Sequence, residues 1–347
     1  MMSSTFADPR LATLDGFRVD IDPARERADV ILDRPPLNVI SMPQRDQLRL
    51  LFEALEEDER VRVIVLRAVG EHFSSGGNIK GFLEATPELV SRLAWNIAAP
   101  ARCAKPVIAA NRGYCFGVGF ELSLACDFRI VSETCFYALP EQRLGQIPGS
   151  GGSARLQKII GITRTKDIVM RSRRIPAKQA YDWGIATECV PDDKLEATTD
   201  ALVDELRRFS PLAQRTAKKL LNDTEDATLS LAIELEGHCY SRLRQSDDFR
   251  EGVEAFHAKR PARSRRMAAS ASSLHRHSGA PRSGEPGIHN PGLWLWIVSL
   301  VCLAYEVCEA GTARFIERSA RPSESCIPPR LIEGAGHPDG SQCWPHV

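Results

Sequence analysis

Residues 61–69 read VRVIVLRAV, a run rich in β-branched side chains and free of turn formers. Polar and apolar positions do not alternate strictly, so the run suits a strand buried on both faces of a sheet rather than one with a solvated face. Shorter strand-like stretches lie on either side, at 17–20 and 30–32 before it and at 106–110, 128–131 and 136–139 after it. Between them Ser41-Met42-Pro43-Gln44 has the form of a capping box, and Leu48, Leu51, Phe52 and Leu55 then recur at helical spacing. Helices are expected at about 87–102 and 119–126, then at 163–171, 176–183, 193–209, 211–222 and 226–246. Strands interleaved with helices and followed by a helical end make an α/β fold with a C-terminal helical subdomain.

The chain has 347 residues, 43% of them hydrophobic, which is enough for an ordinary core in one or two domains. Lys+Arg 45 against Asp+Glu 45 leaves no net charge, which argues against an electrostatic nucleic-acid binder. Cys103, Cys115, Cys126, Cys135, Cys189 and Cys239 stand singly in apolar segments, where a thiol acts as a small hydrophobe. A reducing cytoplasm is the expected compartment. The first residues, Met1 to Pro9, carry neither a cationic nor an apolar signal region, so secretion is not indicated.

Composition shifts at about Ser264. From Arg260 onward there is no lysine, Ser, Pro, Arg and His rise, and helical periodicity ends. The apolar stretch at 293–305 is 13 residues long and is closed by Glu306, short of the ~20 that a spanning helix needs. The expectation is a disordered extension over 264–347, with no membrane anchor.

Two carboxylates carry the chemistry. Glu121 lies in Gly117-Val118-Gly119-Phe120-Glu121, and Glu141 lies in Leu139-Pro140-Glu141-Gln142-Arg143-Leu144-Gly145. Carboxyl groups sharing a partly dry cleft have their pKa values pushed apart, leaving one as base and the other as acid near neutral pH, which suits the addition or removal of water. Each also has an ordinary reading: Glu121 as a favourable charge in a first helical turn, Glu141 as a turn residue. Asp127 reads as structural, accepting backbone N–H bonds near a strand start. The glycines of Gly149-Ser150-Gly151-Gly152 lack the Lys-Ser/Thr of a phosphate loop and read as close packing around the site. Arg171-Ser172-Arg173-Arg174 reads as a solvated helix end, and His72, His238 and His257 have no metal-ligand spacing.

Taken in order, six stretches resemble the enoyl-CoA hydratase/isomerase (crotonase) superfamily over about residues 15–263. They are Arg34-Pro35-Pro36-Leu37-Asn38-Val39-Ile40, His72-Phe73-Ser74-Ser75-Gly76-Gly77-Asn78-Ile79-Lys80, Gly113-Tyr114-Cys115-Phe116-Gly117-Val118-Gly119-Phe120-Glu121-Leu122, Ala125-Cys126-Asp127, Pro140-Glu141-Gln142-Arg143-Leu144-Gly145-Gln146-Ile147-Pro148-Gly149-Ser150-Gly151-Gly152, and the closing Phe256-His257-Ala258-Lys259-Arg260-Pro261. Val118 stands where the family commonly has glycine, Asn78 where it has aspartate, and Ser75 where it has alanine.

The resemblance implies a spiral of ββα repeats that binds an acyl-coenzyme A thioester, assembled as a homotrimer or a dimer of trimers. It divides the chain into an extension at 1–16, a spiral core with the acyl-CoA site at 17–192, a helical oligomerisation region at 193–263 and the extension at 264–347. It further implies Glu121 and Glu141 as the catalytic pair, the backbone N–H groups of Ser75 and Val118 as an oxyanion hole, and Ser75, Gly76, Gly77 and Asn78 against the coenzyme A portion. No metal or redox cofactor is expected, because the thioester already acidifies the α-carbon. Both glutamates together favour hydration of a trans-2-enoyl-CoA; a double-bond isomerase needs only the acid/base at Glu141. A non-catalytic RNA-binding relative would need a lysine-rich helix, and only Lys218-Lys219 are paired here.

Overall fold

The computed structural model describes residues 9–83 and 85–262. Its principal sheet is formed by β1 (Phe17–Asp22), β2 (Arg27–Leu32), β3 (Val63–Ala68), β4 (Val107–Asn111), β6 (Phe128–Ser132) and β9 (Glu188–Val190), hydrogen-bonded in that order. The β1–β2 hairpin is antiparallel and every later pairing is parallel. A smaller sheet joins β5 (Tyr114–Phe116), β7 (Phe136–Ala138) and β8 (Ile175–Pro176).

The run at 61–69 forms β3 over Val63–Ala68, buried on both faces in its first four residues. Val63, Ile64, Val65 and Leu66 are all fully buried, Val63 and Val65 among Ile108, Ile130, Leu195 and Val203, and Ile64 and Leu66 in the main core with Leu48, Leu51, Phe52 and Leu55. Successive side chains of a strand point to opposite faces, so two separate cores require apolar residues at consecutive positions. The main core receives α1 (Met42–Glu57), whose Ser41 Oγ accepts from Gln44 N while Gln44 Oε1 accepts from Ser41 N, both at 3.3 Å. That is the capping box read from the sequence.

The stretch at 87–102 is not one helix but three short ones, α2 (Pro87–Ser91), α3 (Leu93–Ile97) and α4 (Ala99–Arg102). Pro100 has no N–H to continue the α3 ladder, so the chain restarts there. Beyond it come α5 (Val118–Leu124), α6 (Gly152–Arg171), α7 (Ala177–Asp182), α8 (Leu195–Leu206), α9 (Pro211–Thr224), α10 (Leu229–Leu243) and α11 (Asp247–His257). The last helix was not anticipated. Ser246 Oγ accepts from Phe249 N at 3.1 Å, so the residue expected to close one helix in fact caps the start of the next. Strands β5, β8 and β9 were also missed, being too short to show a period.

From β3 onward each repeat visits the principal sheet, crosses to the smaller one and then becomes helical, giving β4–β5–α5 and β6–β7–α6 in succession. Pairings Ser74↔Cys115, Cys115↔Tyr137 and Tyr137↔Ile175 form one row across the smaller layer. This is the expected spiral of ββα repeats. The extension at 264–347, its apolar stretch and the first eight residues lie outside the described residues. No helix among the described residues is long and apolar enough to cross a membrane.

Asp127 has the structural part expected of it, and more. Its Oδ2 accepts from Val107 N and from Lys218 Nζ, each at 2.7 Å, and Lys218 Nζ also donates to the carbonyls of Pro100 (2.8 Å) and Lys105 (2.9 Å). A single ammonium thereby ties α9 to the end of α4 and the start of two core strands. Lys218→Met leaves a mostly buried carboxylate without its cation, and the expected result is a loss of about 3–5 kcal/mol in denaturant unfolding. The same bond holds the Lys218 side chain inward, and Lys219 pairs with Asp223 at 2.6 Å.

Candidate active site

The row Ser74, Cys115, Tyr137 marks where three successive repeats leave the smaller sheet, and the expected site residues follow within a few positions of it. Close backbone approach brings these exits together. A methyl group built on Gly117 would lie 3.1 Å from Glu141 Oε1 and 3.7 Å from Gly76 Cα, and one on Gly76 would lie 3.3 Å from the Phe116 carbonyl oxygen. Gly117 has φ 50° and Gly76 φ 113°, so both positions favour glycine for backbone reasons as well.

Glu121 sits in the first turn of α5 and is 2% exposed. Its Oε1 accepts from the N–H of Ser150 at 2.7 Å and of Gly152 at 3.0 Å, so the glycine-rich loop at 149–152 is a clamp for this carboxylate. A methyl group on Gly152 would come within 2.9 Å of Glu121 Cγ, which explains the glycine there. Burial raises the Glu121 pKa, and the two N–H bonds oppose it by favouring the charged form. Glu141, on a short 3-10 turn (Pro140–Leu144), is half-buried. Burial, with a further contribution from the Glu121 charge, pushes its pKa up to about 7. Its Oε2 is sealed from solvent and has no hydrogen-bond partner among the described residues. One carboxylate is therefore anchored by two backbone N–H groups while its neighbour is poised to carry a proton at neutral pH.

The expected oxyanion donors divide. Val118 is the first residue of α5, where a helix N–H has no partner within the helix, and its amide makes no hydrogen bond among the described residues. The Ser75 N–H, by contrast, donates to the Leu37 carbonyl at 2.8 Å. The amide expected as the second donor thus faces a neighbouring loop in this structure. Neighbouring amides are committed too: Gly76 N donates to Ser74 Oγ at 3.2 Å and Asn78 N to the Ile40 carbonyl at 3.1 Å. Between Ser75 and Asn78 the Gly77 N–H alone has no partner among the described residues. The Asn78 side chain faces its own backbone, accepting from Lys80 N at 3.3 Å.

Asn38 holds this loop in place and was not singled out beforehand. Its Nδ2 donates to the carbonyls of His72 (2.7 Å) and Val69 (2.9 Å), its Oδ1 accepts from Arg34 N (2.8 Å), and its own carbonyl accepts from Ser74 Oγ (2.8 Å). With φ 47° it occupies a left-handed conformation that asparagine tolerates better than most residues. An Asn after Pro-Pro-Leu was the available signal.

A family model described as enoyl-CoA hydratase/isomerase matches residues 27–265. A probable enoyl-CoA hydratase 2, mitochondrial, of Arabidopsis thaliana is 31% identical over 238 residues, covering 67% of this chain and 79% of its own. A carnitinyl-CoA dehydratase of Proteus mirabilis is 33% identical over 240 residues, covering 67% and 92%. The crystal structure of an enoyl-CoA hydratase from Bacillus anthracis superimposes with a TM-score of 0.68 at 30% identity, over 72% of this chain and 99% of that one. The paired carboxylates, the spiral that presents them and these similarities place the chain in the enoyl-CoA hydratase/isomerase (crotonase) family of acyl-CoA enzymes.

Proposed function

We propose that this protein is an enoyl-CoA hydratase that adds water reversibly to a trans-2-enoyl-CoA. The observation that carries the reading is a pair of carboxyl groups near enough to feel each other's charge yet in unequal environments: Glu121 clamped by two backbone N–H groups, and Glu141 with its pKa raised to about 7. A water held between them gives its proton to Glu121 as its oxygen bonds to the β-carbon. The π electrons move toward the thioester, whose oxygen becomes an enolate. Glu141 then delivers its proton to the α-carbon and the carbonyl re-forms. The partnerless amides of Val118 and Gly77 are the donors for that oxygen, with Ser75 and Gly76 shaping the loop beside it. Such donors are fixed before the reaction and need not reorganise when charge develops.

The chemistry requires no metal or redox group, since coenzyme A arrives as part of the substrate. Assembly as a homotrimer or a dimer of trimers belongs to the same reading, supported by exposed apolar side chains at Leu229, Leu231 and Ile233 on α10 and Phe256 on α11.

Purified full-length protein mixed with a trans-2-enoyl-CoA should remove the conjugated enoyl absorbance near neutral pH and yield the 3-hydroxyacyl-CoA. Conversion of a 3-enoyl to a 2-enoyl thioester without any hydroxyacyl product would instead make it an isomerase.

A further inference from the structure

Arg45, in the first turn of α1, is 3% exposed, and its guanidinium makes no hydrogen bond or ion pair among the described residues. Its Nε is sealed without a partner. The other buried cations are provided for: Arg27 pairs with Asp29, Lys105 donates to the carbonyls of Leu55 and Asp58, and Arg129 donates to those of Ser123, Cys126 and Ile185. Burial without a partner lowers the Arg45 pKa, with only the Glu121 charge opposing. A buried guanidinium without a hydrogen-bonded partner is costly and is retained where an anion completes it.

Position identifies where that anion comes from. Arg45 Nη2 lies 2.9 Å from the point a Gly77 methyl group would occupy, and its guanidinium carbon is 5.9 Å from the Phe82 ring centre. The guanidinium thus stands beside the loop bearing the free Gly77 amide, at the thioester end of the substrate. Phosphates of coenzyme A are at the other end of the pantetheine arm, which leaves the acyl group as the source.

We propose that Arg45 receives a carboxylate on the acyl group, so that the preferred substrates are coenzyme A monothioesters of unsaturated dicarboxylic acids. The assignment rests on the acyl-CoA reading of the site. A planar guanidinium offers paired N–H donors that match a carboxylate, and in a water-poor cavity the pairing is strong. It also disfavours acyl groups that carry a cation.

The test uses full-length protein and three enoyl-CoA thioesters of equal length ending in methyl, carboxylate or trimethylammonium. The expected order of kcat/KM is carboxylate over methyl by about 100-fold, with trimethylammonium last. In Arg45→Met the carboxylate-to-methyl ratio should fall to about one, while the melting temperature stays at or above that of the parent because an unpaired buried charge has gone. Equal rates for carboxylate and methyl in the parent, a ratio retained in Arg45→Met, or a marked fall in melting temperature would each overturn the proposal. If no thioester is hydrated, the hydratase reading fails on its own. Calorimetric binding of the saturated carboxylate and methyl analogues then decides about Arg45: a parent preference lost in Arg45→Met upholds it, and equal affinities overturn it.

Discussion

Glu121→Gln and Glu141→Gln should each lower the hydration rate at least about 100-fold while coenzyme A affinity stays nearly constant. Both side chains act on one water, so the double variant should be little worse than either single one, far from the product of two losses. The unequal environments add a signature in pH. Glu141 must hold its proton to serve as the acid, and with its pKa raised to about 7 the rate should be flat just below that value and fall above it. Stability follows the same sign. The folded protein holds the Glu141 proton more tightly than the unfolded chain, whose carboxyl titrates near 4.5, so stability is lost as pH rises from about 4.5 to 7. Glu141→Gln carries no such charge, and its melting temperature should exceed the parent's at pH 8 although its activity is gone. A Glu121→Gln protein with full hydratase activity would contradict the assignment and leave an isomerase with one working acid/base.

Val118→Pro should remove most of the rate, about 100–1,000-fold, by deleting one amide that faces the developing enolate. Proline at the first position of a helix deletes a donor that has no partner within the helix and keeps a compatible φ, so the fold is expected to survive. Val118→Gly is the matching control. It keeps the N–H, removes a buried β-branched side chain, and should retain activity with a broader range of acyl groups. Circular dichroism of Val118→Pro separates loss of a donor from loss of α5. A folded and fully active Val118→Pro protein would exclude this amide from the mechanism.

Much of this architecture is legible in residue order alone. Consecutive apolar positions in β3 announce a strand with a core on either side, because the period of two leaves no other way to bury both sets. The capping box at Ser41 and Gln44 announces a helix start, because both partners lie within one turn. Glu121 and Glu141 are recognisable from their local motifs, as are the glycines on which close approach depends. What residue order could not disclose is which groups the remainder of the chain would leave unpaired. Ser75 and Gly77 each carry an amide in the same short loop, and the Leu37 carbonyl from a distant turn takes the first and leaves the second. Arg45 reads as one more polar residue of an amphipathic helix until folding buries it without a carboxylate. Glu141 owes its pKa to burial and to a neighbour on another element. Hydrogen-bond supply and desolvation are set by contacts between segments far apart in the chain, and only the tertiary structure brings those segments together.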